Sequence, residues 1–422
     1  MSNNLTSNVS TKVAKIFAKN FQALRTVSKT VNTQVIQGMH GASTGATVYL
    51  KRPHQYNAIS TSDGDIHSET KSSIISGRIP ATVQNYITVA LEWTDYEESL
   101  QLDQLDEIIK PAAETAVISL ESKLQEFAVK NLGLCYGTVG TLVDAWADVA
   151  GCSSLMDALG VPQGSDRYYI HNPFTSQLLA GSQYAAMVTD RKADSAWEEA
   201  QLTKRVGGML PMVSNTLYSW TNGTCADLAG ALNATPTATY AGAKDTMTQS
   251  IALKSLSAAG VITAGSVIEY NAKYMRNPRT GELIRGVDGA YVKFRQTVVT
   301  GVTLDGSGIG TITVTPAAIY ESGGQYNNVS AALAEDDVVT ILGASATGYS
   351  PNLFYHKDAL GLATIKLSKL QATDTIFTTQ DGISVRVCKY SSPDYNLQQI
   401  RFDILPAFAV INPMFGGKSF GL

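Results

Sequence analysis

Few side chains in this chain are of a type and spacing that would do chemistry. The five histidines, His40, His54, His67, His171 and His356, are scattered. None forms an HxxH or HExxH pair that would place two imidazoles on one helix face for a metal. The four cysteines, Cys135, Cys152, Cys225 and Cys388, lie far apart with no CxxC. They offer no zinc site and read as free thiols in a reducing compartment. DGSGIG, starting at Asp305, is a loose glycine run followed by TITV. A phosphate cradle needs a helix opening after its glycines so that the first amides converge on the anion. A strand follows here, so the run reads as a turn. Dispersed Ser, His and Asp can always be drawn into a triad, but no local motif supports one. His171, beside Tyr168 and Tyr169, reads as a packed or hydrogen-bonded ring. Trp93, Trp146, Trp197 and Trp220 read as core or interface anchors. The sequence therefore assigns no catalytic residue, no cofactor site and no metal ligand.

What remains is charge, and it is unevenly placed. The first 62 residues hold no Asp or Glu but carry Lys12, Lys15, Lys19, Arg25, Lys29, Lys51 and Arg52. Residues 79–109 reverse this, with Glu92, Asp95, Glu97, Glu98, Asp103, Asp106 and Glu107 and no Lys or Arg. One reading is two solvated faces. The other is an assembly contact, in which the basic arm of one subunit lies on the acidic segment of another. In that reading Lys12, Lys15, Lys19, Arg25, Lys51 and Arg52 face Glu92, Asp95, Glu97, Glu98 and Asp103. The net charge of −4 argues against a dedicated nucleic-acid binder. No stretch is apolar for long enough to cross a membrane, and no signal peptide opens the chain. The acid-free start resembles a mitochondrial presequence, but no cleavage cue follows it.

The elements that would carry these charges follow from periodicity. The stretch 111–131, PAAETAVISLESKLQEFAVKN, predicts a long helix. Its apolar stripe is Ala113, Ala116, Val117, Leu120, Leu124, Phe127 and Ala128. Pro111 is expected in the first helical position and Gly133 as the stop. Glu121 with Gln125, and Glu126 with Lys130, fall on the wet side. Residues 10–26 predict an amphipathic helix with Val13, Ile16, Phe17, Phe21 and Leu24 on its apolar face. Such a basic helix suits a membrane surface or, as a terminal arm, a neighbouring molecule; docking on a neighbour is the expectation. Residues 46–94 read as a long β excursion, with strands at 47–53 and 85–93 flanking a polar stretch. A two-stranded arm of this length needs a partner surface. Residues 142–206 read as mixed α/β. From 218 to 348 the chain turns Thr/Val/Gly-rich with short strands, the pattern of an inserted β-barrel or sandwich. Residues 349–422 return to mixed structure and are expected to pair with the strand in the 160s.

Several stretches, taken in order, carry a family resemblance: MSNNLTSNVS; YLKRPHQYNAIS; ISGR with VQNYITVALEW; AWEEAQ; SPNLFYHKDALGL; ISVRVCKY; and IRFDILPAF followed by NPMFGG. The chain resembles the coat proteins of short-tailed Salmonella and Shigella phages, the Lederbergvirus type. The resemblance spans nearly the whole chain and is weakest over 225–300. It implies an α+β chain of the Hong Kong 97-type capsid fold with an inserted small β-barrel domain. It further implies an N-terminal arm (1–32), an extended β loop or E-loop (33–98), and a spine helix with the peripheral domain (99–141). An axial domain (142–217), the inserted barrel (218–348) and a return segment (349–422) would follow. The implied function is a non-enzymatic major capsid protein that self-assembles into an icosahedral shell, first a procapsid and then an expanded capsid. The implied partners are copies of itself, a scaffolding protein and a portal protein. The shell would enclose double-stranded DNA without reading its sequence. The implied places are the virion and, during assembly, the host cytoplasm. The alternatives are an encapsulin-like nanocompartment shell, a hydrolase with an accessory β domain, and a surface-array protein, which should carry an export signal.

Overall fold

The structure is a computed structural model. It describes residues 6–33, 45–94, 105–186, 202, 205–226, 228–370, 374–379, 381–392 and 397–422. The longer helices are α1 (Thr6–Leu24), α2 (Leu105–Asn131), α3 (Trp146–Ala158) and α4 (Pro173–Ala186). Two compact units emerge, each assembled from separated stretches of chain.

The first unit comprises Met1–Leu50, Pro80–Gln125 and Leu360–Ala409. Its main sheet is antiparallel, in the order Thr375–Thr378, Ser384–Ser392, Leu397–Ile404, Ile87–Thr94. The alternation expected over 87–92 is present: Ile87 is buried and Val89 and Leu91 are half-buried, while Thr88, Ala90 and Glu92 face out. The partner differs from the expectation. Ile87–Thr94 is no leg of a two-stranded arm; it pairs along its length with Leu397–Ile404. Buried in this sheet, Asp403 accepts from Arg386 Nη2 (2.6 Å), Arg401 Nε (2.6 Å) and Thr88 Oγ1 (2.7 Å). These donors hold its carboxyl below the usual range against the opposing effect of burial. A second sheet runs Thr47–Lys51, Arg78–Val83, Pro406–Val410, Leu360–Thr364. The single run QQIRFDILPAFAVINP thus serves two sheets, broken at Leu405 with Pro406 opening the second strand.

The apolar face of α1 closes on the first of these sheets. Phe17 stacks on Phe402 with ring centroids 4.1 Å apart and also meets Phe21 and Phe377. Burying two phenylalanines supplies about 1.5–3 kcal/mol each. This corrects the expected docking on a neighbour: the arm's apolar face is already covered by its own chain.

Helix α2 begins at Leu105, so Pro111 lies inside it. An internal proline forfeits one ladder bond and costs about 3 kcal/mol. Burial of Ile109 ahead of it and of Ala112 and Ala113 behind it favours continuation. The predicted stripe is buried, with Phe127 half-buried, and Glu126 pairs with Lys130 as expected. Glu121 and Gln125, placed on the wet side by spacing alone, are buried.

The second unit comprises Lys51–Ile79, Glu126–Ala359 and Val410–Leu422. A five-stranded sheet runs Leu134–Tyr136, Gly416–Ser419, Asn352–His356, Arg167–His171, Leu210–Val213. The expected pairing of the return segment with the 160s strand is the contact of Leu353 with Ile170 and Phe354 with Tyr169. Six antiparallel strands then close a barrel in the order Val267–Tyr274, Lys293–Thr300, Gly310–Thr315, Gln249–Lys254, Ala229–Leu232, Val338–Ile341. Closure removes the exposed edges a small sheet would otherwise present. One continuous apolar core links barrel residues such as Phe294, Ile312 and Val339 to Val149, Met156 and Phe354 of the α/β part. The buried Tyr270 donates to Gln296 Oε1 of the adjacent strand (2.7 Å), and Gln296 Nε2 donates to Pro316 O (2.6 Å). Burial pushes the Tyr270 phenol well above its ordinary range.

Candidate assembly surfaces

The chemical motifs set aside on sequence grounds are occupied structurally. In DGSGIG, Asp305 Oδ1 accepts from Ser307 N (2.8 Å) and Ile309 N (2.9 Å). The amides an anion would need are taken by the chain's own carboxylate, and the run is a turn. His171 is buried against Tyr169, and burial lowers its pKa, opposed by the Tyr169 backbone. The four cysteines are buried free thiols. Among the described residues no cluster of His, Cys, Asp and Glu could hold a metal, and no helix is long and apolar enough to cross a membrane.

Two constructions stand out instead, one in each unit. In the second unit, Arg52–Gly77 has no helix or strand, yet its two legs run side by side. Arg52 N donates to Gly77 O (2.8 Å), His54 Nδ1 lies 3.0 Å from Ile75 O, and Asn57 N donates to Ser72 Oγ (2.9 Å). Gln325 staples the legs, its Nε2 donating to Gln55 O (2.9 Å) and Ser73 O (2.7 Å). Tyr240 and Tyr326 stack with centroids 3.4 Å apart in a satellite core with Met247 and Ile319, and Ile75 packs against it. The buried Arg52 donates to Ile411 O (2.7 Å) and Lys244 O (3.2 Å). Burial lowers its pKa to about 10. Gly77 is required at the base: a Cβ there would meet Tyr240 Oη at 2.5 Å and Lys244 O at 2.8 Å. The clamped legs still leave Tyr56 and Ile74 in solvent, the latter 79% exposed, and beyond them Ile59 and Ile66 are exposed as well.

In the first unit, the chain after α1 is locked by charge. Arg25, almost fully buried, donates to Ser28 Oγ (2.8 Å), Ser28 O (2.8 Å) and Asp381 Oδ2 (3.0 Å). Burial lowers its pKa, and Asp381 and Glu121 oppose that shift. Glu121 accepts from Thr26 N (2.6 Å), Thr26 Oγ1 (3.0 Å) and Ser28 Oγ (3.3 Å). Asn32 then bridges to Gly361.

The sequence-derived contact residues therefore divide. Arg25 and Arg52 are spent inside their own chain, where both are buried and hydrogen-bonded. Lys15, Lys19 and Lys51 are exposed. Glu92 is exposed and accepts from Gln399 Nε2 (3.1 Å). Lys12 belongs to α1, but its side chain lies outside the described residues, as do Asp95, Glu97, Glu98 and Asp103. Periodicity missed Glu121, Gln325 and Gly77, since their partners are distant in sequence. Only ISGR, quoted for its resemblance, marked the Gly77 position.

Comparison with known proteins fits a chain built of scaffolding and surfaces. The family model for the P22 coat protein, gene protein 5, matches residues 1–421. A major capsid protein of Acyrthosiphon pisum secondary endosymbiont phage 1 is 36% identical over 426 residues, covering 100% of both chains. Among solved structures, that of Mycobacterium phage Che8 is 11% identical, covers 93% of this chain and 90% of its own, and superposes with a TM-score of 0.46. The capsids of cyanophage P-SCSP1u (9% identity, 93% and 86% covered, TM-score 0.42) and Ralstonia phage GP4 (8%, 93% and 87%, 0.42) are similar to about the same degree. The chain belongs to the P22 coat protein family, and its function is that of a phage major capsid protein.

Proposed function

We propose that the chain is a Lederbergvirus-type coat protein with the Hong Kong 97-type capsid fold, assembling into a procapsid that expands as double-stranded DNA is packaged. In this reading residues 1–32 are the N-terminal arm, 33–98 the extended loop, 99–141 the spine helix and peripheral domain, 142–217 and 349–422 the axial and return segments, and 218–348 the inserted domain. A scaffolding protein and a portal protein guide assembly in the host cytoplasm. The shell encloses DNA without gripping it, in keeping with the modest net charge of −4.

The observation that carries this reading is the loop Arg52–Gly77. Its base is fixed by hydrogen bonds and a satellite core, while Tyr56 and Ile74 on its legs and Ile59 and Ile66 farther out face solvent. A segment held rigidly at its root with apolar groups at its reach is built to be completed by another molecule. Many such modest contacts, repeated around a shell, add through multivalency. Expression with and without a scaffolding partner, viewed by negative-stain electron microscopy, tests this. Closed shells of uniform size with the partner are expected. A chain that stays monomeric at high concentration under both conditions would refute the reading.

A further inference from the structure

Between the barrel strands Gly310–Thr315 and Val338–Ile341 the chain makes an arch, Pro316–Asn328, that takes no part in closing the barrel. The arch is braced from within. The buried Asn328 donates from Nδ2 to Ala317 O (2.7 Å), and its Oδ1 accepts from Ile319 N (2.8 Å). Asn327 works the same way nearer the tip: its Oδ1 accepts from Glu321 N (2.7 Å) and its Nδ2 donates to Glu321 O (2.8 Å). From the rest of the inserted module, Gln249 Oε1 accepts from Ala318 N (3.0 Å), and Tyr240 N donates to Glu321 Oε1 (3.1 Å). All of these bonds are made without the extended loop, so the arch has its shape before the loop arrives.

Its outer turn, Gly323–Tyr326, meets both legs of the loop Arg52–Gly77. Beside the two Gln325 staples, Gln55 N donates to Tyr326 Oη (3.3 Å), and Asn57 Nδ2 donates to Gly324 O (3.2 Å). On the second leg, a Cβ placed on Gly323 would lie 3.7 Å from the Thr70 Cβ. The Gln325 and Tyr326 bonds all end on loop backbone. They fix the course of the legs and leave the loop's apolar side chains free to face outward. None of these bonds pairs charges; the fit is one of backbone position.

We propose that the arch is a receptor, within the same chain, for the extended loop: it sets the loop's reach in the free subunit, and the loop stays seated on it as subunits join. A loop positioned before encounter loses less freedom when its exposed Ile59 and Ile66 are covered, so the arch speeds assembly without itself touching a neighbour. This gives Gln325 and Tyr326 a positioning role that closure of the barrel does not require. The inference rests on the self-assembly reading above.

The test locks the loop to the arch. Thr70→Cys with Gly323→Cys brings two Cβ atoms within the range a disulfide spans, about 3.5–4.5 Å. The native cysteines are buried, so they do not compete. The link should close within single chains under mild oxidation. Once oxidised, this variant should assemble at least as fast as the unsubstituted chain. The same preparation after reduction controls for the substitutions, including a side chain at Gly323, where φ is +68°. Gln325→Ala, with circular dichroism unchanged, should slow assembly several-fold by light scattering, and adding the oxidised lock should restore the rate. Absence of the link, oxidised chains that fail to assemble while reduced ones succeed, or a Gln325→Ala chain that assembles at the unsubstituted rate would overturn the proposal. Failure of the unsubstituted chain to form particles would instead overturn the self-assembly reading.

Discussion

Lys418 is the least expected side chain in the second unit. It is fully buried in the strand Gly416–Ser419, donates to Gly265 O, and lies 5.1 Å from the Trp220 ring. Burial pushes its ammonium down to about 7, with nearby Cys135 opposing the shift. The folded-state pKa is therefore below the unfolded value of 10.5. Between these two values the unfolded chain binds the extra proton, so this residue makes stability rise with pH from about 7 to about 10, by up to about 1.4 kcal/mol per pH unit. Lys418→Met should remove that slope and leave the protein more stable than wild type at neutral pH. Urea midpoints of both proteins across the range check this; parallel pH dependence in the two would refute it. Glu121 makes a contrasting case. Glu121→Ala strands the Thr26 amide and the buried Ser28 hydroxyl and should cost about 1–3 kcal/mol. Glu126→Ala, on the wet side of the same helix, should change stability by about 0.5 kcal/mol or less. Both sit at helical spacing in one stretch of sequence, and only the fold separates them.

Local elements were readable where one periodicity runs unbroken. Phe17 and Phe21 of α1, the stripe of α2 and the alternation over 87–92 each declare a buried face. What hides is anything decided by a distant partner or disguised by proline. Pro111 reads as a helix start, and burial of Ile109 carries the helix past it to Leu105. Pro80 hides the strand Arg78–Val83, because a ladder residue without an amide argues against a strand. The strand at 87–94 was visible but its partner at 397–404 was not, because register with a strand three hundred residues on leaves no local trace. The clamp on the extended loop shares that character, since Gln325 and Tyr326 find Gln55 and Ser73 only in three dimensions. Gly77→Val should force Tyr240 and Lys244 apart and loosen the loop's base, as should Gln325→Ala. Hydrogen exchange over 52–77 is expected to quicken in both, most in Gly77→Val, while exchange in the barrel strands stays unchanged. Equal quickening throughout the barrel would mean that the loop and barrel unfold together, and the clamp idea would fail.

For the protein as a whole, the question is which charges act within a subunit and which act between subunits. The basic start of the chain looks uniform in sequence, but the fold sorts it. Arg25 and Arg52 are buried and hydrogen-bonded within their own chain, whereas Lys15, Lys19 and Lys51 are exposed. The proposed pairing with the acidic segment of a neighbour therefore falls to the lysines. Exposed lysine–carboxylate pairs are individually weak, about 0–1 kcal/mol, and screened by salt. The Debye length shrinks from about 10 Å at 0.1 M to about 3 Å at 1 M. Were such pairs repeated over every subunit of a shell, they would together set the assembly rate. Raising the salt concentration should thus slow assembly, and Lys15→Glu with Lys19→Glu should slow it further at low salt while flattening the salt dependence. Urea unfolding of the monomer should be unaffected by that pair of changes. Arg25→Gln should do the reverse, lowering monomer stability through loss of the Asp381 and Ser28 bonds and leaving the slope of assembly rate against salt unchanged. Light scattering during assembly, set beside urea melts of each variant, separates the two roles. Identical salt slopes for wild type and the double lysine variant would show that these charges are merely solvated, with the cohesion of the shell carried by apolar surfaces such as Tyr56, Ile66 and Ile74.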